Sequence, residues 1–153
     1  MKIRIEIDDG LVEDEIILRC KSLNDETVVI QKKIADLVNS RMQMEVSKGD
    51  MNYFITLDEI LFFETATSYV AVHTTNAIYE TKHKLYELED LLPGSFLRVS
   101  KSSIVNTAKI RAIHKNITGA SEIEFLKCAK TVFVSRNYFK ILMSKLEEKR
   151  FFR

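Results

Sequence analysis

The sequence predicts a mainly β protein, α+β overall, with one short helix and a C-terminal helix, preceded by a small β-β-α unit. Short apolar-polar alternations recur from Met42 to Val134 with turn residues between them. A single helical repeat interrupts them, and a longer helical stripe follows at the end. The strands do not alternate with helices, which argues for a small sheet-rich domain and against parallel βαβ units.

Lys2 to Ile7 alternates apolar and polar residues and ends at Asp8-Asp9-Gly10, the pattern of a half-buried strand closed by a turn. A second strand is expected at Glu15 to Cys20. Ile30, Ile34, Leu37 and Val38 then repeat at helical spacing, predicting a helix to Ser40 capped by Ser22 or Asn24. The β-branched run from Thr27 works against its start. Residues 1–41 thus form a β-β-α unit too small for a core of its own, expected to pack on the remainder or on a second copy.

Residues 42–153 make the second expected domain. Met42 to Ser47 and Asn52 to Leu57 flank a Lys48-Gly49-Asp50 hairpin turn. Glu59 to Thr65, Tyr69 to Thr74 and Ile78 to Lys82 follow as strands. Leu85, Leu88, Leu91 and Leu92 share one helical face, and Pro93-Gly94 stops that helix. Further strands are expected around Phe96 to Asn106, at Lys109 to Lys115, at Ser121 to Leu126 and at Lys130 to Val134. Ser135 then caps a helix whose stripe is Phe139, Leu142, Met143 and Leu146.

The net charge of +1 hides a strong asymmetry. Residues 1–45 carry 7 basic and 10 acidic side chains, residues 46–94 carry 3 and 8, and residues 95–153 carry 13 and 4. A cationic last third on an acidic body is the footprint of a face that meets a polyanion. No apolar run is longer than Ile60 to Phe63, far short of a membrane helix, and the amino terminus does not read as a secretory signal. Cytoplasmic residence is expected. Cys20 and Cys128 lie far apart and form no C-x-x-C pair, which predicts buried reduced thiols and neither a disulfide nor a metal centre.

Two places stand out as binding candidates. Between Phe96 and Asn106 the alternation is broken by a polar knot, Ser100-Lys101-Ser102-Ser103. Lys101 there carries a charge, and the hydroxyls of Ser100 and Ser102 can donate to an anion, so phosphate or a base edge is the natural ligand. At the start of the last helix, Arg136, Asn137 and Lys140 lie beside bare backbone N–H groups, and Arg and Asn are the side chains suited to guanine and adenine edges. Each feature alone also reads as an ordinary solvated surface.

Enzymatic chemistry has little to stand on. His73, His83 and His114 form no ligand spacing, the 4 glycines make no phosphate loop, and no serine sits in a nucleophile elbow. No cofactor and no small-molecule substrate are expected. The rival reading is a β module that binds an acidic protein, or a single-stranded nucleic acid stacked on Tyr69, Phe96 and Tyr138.

Five blocks carry a resemblance: Ile60 to Glu64, Tyr69 to Thr74, Lys84-Leu85-Tyr86-Glu87-Leu88-Glu89, Phe96 to Asn106, and Val134 to Tyr138. In this order and spacing, from about Met42 to Leu146, the chain resembles the LytTR-type DNA-binding domain of bacterial transcription regulators. The resemblance implies an elongated stack of small antiparallel sheets that reads double-stranded promoter DNA through loops and a helix start in neighbouring stretches of major groove. It places DNA contacts on Tyr69, Lys101, Arg136 and Asn137. Some members carry histidine at the Tyr69 position and asparagine at the Lys101 position. Many members also carry an amino-terminal receiver, for which the roughly 40 residues before the second domain are too few. Acidic and too small to be stable alone, residues 1–41 are expected to be a dimerisation or partner-docking element, with a homodimer expected for the whole chain, and the resemblance implies control by an inhibitory membrane protein of the kind that governs receiver-less relatives.

Overall fold

The computed structural model describes residues 2–12, 14–39 and 41–150, and the chain divides into two compact units, Met1–Ile34 and Ala35–Arg153. Helix α1 (Asp25–Asn39) runs across the boundary. It starts at Asn24, not Ser22: Thr27 N donates to Asn24 Oδ1 at 2.9 Å, and Asn24 N donates to Thr27 Oγ1 at 2.9 Å. The β-branched Thr27 that counted against the helix start is thus half of its cap, satisfying two backbone donors reciprocally.

The two amino-terminal strands do not form among the described residues, so the expected β-β-α unit reduces to its helix. A strand needs a neighbour for its backbone groups, and among the described residues neither Lys2 to Ile7 nor Glu15 to Cys20 pairs with another strand. Ile3, Ile5 and Ile7 are 94, 86 and 90% exposed. Cys20 is exposed and Cys128 half-buried, which corrects the expectation of two buried thiols. No described helix is long and apolar enough to cross a membrane.

In the second unit, β1 (Gln43–Lys48), β2 (Met51–Thr56), β3 (Ile60–Thr65), β4 (Val70–Thr74), β5 (Ile78–Thr81), β6 (Phe96–Ser100) and β7 (Ser103–Asn106) form one antiparallel sheet. Its order is β2-β1-β5-β4-β3-β7-β6. The β1–β2 hairpin joins the rest through a single pair, Ser47 with Glu80. Gly49 supplies the positive φ of 62° that its two-residue turn requires. β8 (Ile110–His114), β9 (Ser121–Phe125) and β10 (Thr131–Val134) form a second antiparallel sheet.

Both faces of the larger sheet are covered. Helix α2 (Leu85–Leu91) closes one face, with Leu85 and Leu88 packed among Val46, Ile60, Phe63, Val72 and Ile104. Leu91 departs from the expected stripe and is 62% exposed. Leu92 is extended, as a residue before proline must be, and ends the helix. The smaller sheet and helix α3 (Arg136–Arg150) close the other face, with Leu142, Ile123, Phe125 and Val134 packed on Leu61, Phe62, Val99 and Val105.

Burial on two sides explains the Ile60-Leu61-Phe62-Phe63 run, and a bulge explains its order. Ile60 pairs with Thr74 but Phe62 pairs with His73, so Leu61 is the extra residue. Ile60 and Phe63 then face α2, while Leu61 and Phe62 face the smaller sheet. The irregularity is secured by Asn106, buried at the end of β7. Its Nδ2 donates to Ile60 O at 3.0 Å, and its Oδ1 accepts from Ala108 N at 3.1 Å.

His73 is stacked on Phe62, with centroids 4.1 Å apart and planes 13° from parallel. Burial, with a smaller contribution from the charge of Lys130, lowers its pKa from 6.5 to about 4. Its Nδ1 is buried without a hydrogen-bond partner.

Two outcomes follow for stability. Asn106→Leu leaves the Ile60 carbonyl unsatisfied and should cost about 1–3 kcal/mol in denaturant unfolding, while Glu124→Gln on an exposed strand site should stay within about 0.5 kcal/mol. Because His73 stays neutral when folded yet protonates when unfolded, its contribution is intact above pH 6.5 and is lost as pH falls toward 4. Between pH 7 and pH 5 this should amount to about 1–2 kcal/mol, and His73→Phe should show a smaller fall in Tm over that range than the parent protein.

Candidate nucleic-acid interface

Three segments singled out by sequence meet at one hub, the β6–β7 hairpin. β7 pairs with β3, Glu64 standing opposite Ser103. Just beyond that pair, Thr65 N donates to Ser102 O at 2.8 Å, tying the β3–β4 loop to the hairpin turn. On the other flank, Ser135 N donates to Val99 O at 2.9 Å, tying the start of α3 to β6. Ala66 N donates to Tyr69 O at 2.8 Å and closes the β3–β4 loop on itself. These bonds join main chain to main chain, so they hold whatever side chains the loops carry.

The bond at Val99 depends on an irregularity. Arg98 pairs with Ile104 while Ser100 pairs with Ser103, which makes Val99 the extra residue of a bulge. Its side chain is fully buried against Leu142 and its neighbours. Its carbonyl, left over by the bulge, receives the first backbone donor ahead of α3. Ser135 occupies the cap position as expected, and its carbonyl accepts from Tyr138 N and Phe139 N, both at 3.1 Å.

Lys101 is exposed at the first position of the two-residue turn. Ser102 N donates to Ser100 Oγ at 3.2 Å, and the two hydroxyls lie 3.3 Å apart. The serines therefore stabilise the turn from within. Arg98, on the adjacent strand, donates from Nε to Ser100 O at 3.0 Å and from its guanidinium to Lys101 O. Its Nη1 donates to Glu89 Oε2 of α2 at 2.8 Å. This geometry makes Arg98 a brace for the turn.

At the helix start, Arg136, Asn137 and Lys140 are all exposed, Lys140 one turn beyond Arg136. The Arg136 guanidinium is already engaged, donating to the Thr118 carbonyl in the β8–β9 loop. That loop joins the expected strands at Lys109 to Lys115 and Ser121 to Leu126, and no binding role was expected of it. Its Asn116 Oδ1 accepts from Thr118 N and Thr118 Oγ1, both at 3.1 Å, so the Asn-x-Thr-Gly order is the signal that could have found it. Lys115, at the base of the same loop, lies 5.8 Å from the Phe139 ring centroid. Tyr69, 39% exposed, sits where the β3–β4 loop enters β4.

Of the aromatic set of the single-strand reading, Phe96 and Tyr138 are partly buried side chains that border one groove, Phe96 5.8 Å from Phe63 and Tyr138 on α3, while Tyr69 stands where the β3–β4 loop enters β4. Among the described residues no group of three or more His, Cys, Asp or Glu is placed to hold a metal ion.

Comparison with known proteins places the fold. Residues 50–147 match the LytTr DNA-binding domain. Uncharacterised HTH-type transcriptional regulators of Staphylococcus aureus strains NCTC 8325 and MW2 are each 29% identical over 146 residues, covering 95% of this chain and 98% of theirs. The likeness to those relatives therefore includes most of the segment ahead of residue 50. A solved LytTr DNA-binding domain, from a methyl-accepting/DNA response regulator of Bacillus cereus, shares the fold with a TM-score of 0.61 and 24% identity. It covers 67% of this chain and 96% of that domain. With its two antiparallel sheets, its carboxy-terminal helix and a family match across most of its length, the chain belongs to the LytTR DNA-binding domain family.

Proposed function

We propose that this protein is a transcription regulator that binds double-stranded promoter DNA sequence-specifically, reading major grooves with Tyr69, Lys101, Arg136 and Asn137. Ser100 and Ser102 shape the Lys101 turn, and Lys140 offers a charge to the phosphate backbone. The carrying observation is the hub: one hairpin holds the β3–β4 loop through Ser102 O and the start of α3 through Val99 O. Loops held this way keep a fixed register relative to one another, which reading several base steps at once requires. The +9 balance of residues 95–153 supports the same partner. Such a protein is a binding module without catalytic chemistry and acts in the cytoplasm, where its DNA is.

Arg136 enters this reading by exchanging the Thr118 carbonyl for a base edge. The bond it gives up is exposed, so the exchange costs little.

Residues 1–41 are proposed to hold a second copy of the chain, placing two reading faces on repeated half-sites. The unpaired alternation of Ile3, Ile5 and Ile7 and the 52% exposure of Val38 support an element that completes itself on a partner. Control by an inhibitory membrane protein acting on this segment is a further proposal, supported by the family resemblance alone.

A selection from random duplexes should yield a defined site. Log affinity for that site should fall with log salt by roughly 0.9 per phosphate neutralised. Lys101→Ala and Arg136→Ala should each cost about 1–3 kcal/mol on the selected site and less on random duplex. Equal binding to single strands would overturn the reading. Removing residues 1–41 should convert a dimer to a monomer in sedimentation, and a truncated protein that stays dimeric would refute their role.

A further inference from the structure

The β6–β7 turn lacks the chemistry that two-residue hairpins usually rely on. The favoured primed turns need a positive φ at one or both central residues, hence Gly, Asn or Asp there. Lys101 and Ser102 fill those positions here, and neither has a positive φ: among the described non-glycine residues only Lys127 does. A turn of this kind does not match the strand twist by itself, and something else must hold it.

Arg98 is placed to do so. Its bonds to Ser100 O and Lys101 O grip the two peptide groups on either side of the Lys101 Cα. Its remaining grip is on Glu89, and the Arg98 side chain is only 20% exposed. Leu88, Leu92, Leu97 and Ile141 border the open groove of about 280 Å³ beside the pair. The Glu89 side chain is 43% exposed, so the grip rests on geometry more than on burial: the planar fork is one that a lysine ammonium does not reproduce.

We propose that Glu89 and Arg98 are positioning residues for DNA reading: Glu89 of α2 orients the Arg98 guanidinium, which fixes the backbone of Lys101 and thereby the direction in which Lys101 meets the duplex. The inference rests on the DNA-reading role proposed above. It gives α2, a helix with no reading side chain of its own, control over the specificity of the hairpin.

The test uses the full chain with Glu89→Gln and Arg98→Lys. Charge alone makes a definite prediction for Glu89→Gln: removing a negative charge strengthens binding to any duplex. Positioning predicts the opposite on the selected site, a loss of roughly tenfold, with random duplex held or slightly tightened and an unchanged salt slope. Arg98→Lys keeps the charge and should show the same fall in the ratio of selected to random binding. Combined with Lys101→Ala, Glu89→Gln should add nothing further, because the side chain being positioned is gone.

Amide hydrogen exchange gives a readout that needs no DNA. The Ser102 amide, which donates to Ser100 Oγ, and the Thr65 amide, which donates to Ser102 O, should exchange faster in both variants while those of Phe62 and Phe63 inside β3 stay protected. Unchanged turn exchange, or an unchanged ratio of selected to random binding, overturns the positioning role. A protein that binds no duplex while its turn loosens in the variants would defeat the DNA reading and leave the brace standing.

Discussion

The structure depends on a main-chain constraint at the β6–β7 hairpin. Two carbonyls that the hairpin does not use internally, Val99 O and Ser102 O, take donors from Ser135 and Thr65. The first exists because a bulge puts Val99 outside the ladder, and the second because the turn lies beside the end of β3. Val99 is fully buried, so its carbonyl would be costly without a partner and draws the helix start to a fixed place, while the Thr65 bond to Ser102 O ties the neighbouring loop to the exposed turn. The exposed side chains at the three sites inherit their relative positions from these bonds.

Packing supplies the platform under that hub. β3 is buried on both faces and would put alternate residues on opposite sides if it were regular. The bulge at Leu61 instead gives Leu61 and Phe62 to the smaller sheet and α3, leaving Ile60 and Phe63 to α2. Fully burying four such side chains contributes on the order of 1.5–3 kcal/mol each. Asn106 shows why the hairpin and β3 act as one body: it closes β7 and satisfies the Ile60 carbonyl of β3 through a single buried amide.

Much of this was legible in the sequence, for a physical reason. Period-two alternation and Gly or Pro punctuation located the ten strands described in the second unit, α2 and the start of α3 to within about two residues, because those signals come from local burial and local φ. What failed depends on partners. Lys2 to Ile7 has strand-like alternation but, among the described residues, no strand beside it, and alternation says nothing of who supplies the neighbour. The two bulges, the Thr118 contact of Arg136 and the Glu89–Arg98 grip all join residues distant in sequence or break the period that sequence reading assumes. Thr27 is instructive in the other direction, since a residue unfavourable inside a helix is favourable in its cap.

The central claim is that the β3–β4 loop, the Lys101 turn and the start of α3 meet one face of a duplex together. Site-directed cleavage tests this most directly, with an iron chelate attached to a single cysteine placed at Ser68, Ser102 or Lys140 in a background where Cys20 and Cys128 are serine. The account predicts cuts from all three positions on one side of the selected duplex, clustered in neighbouring stretches of groove and in a constant order. Cuts from only one position, or cuts scattered over opposite sides of the duplex, would contradict it.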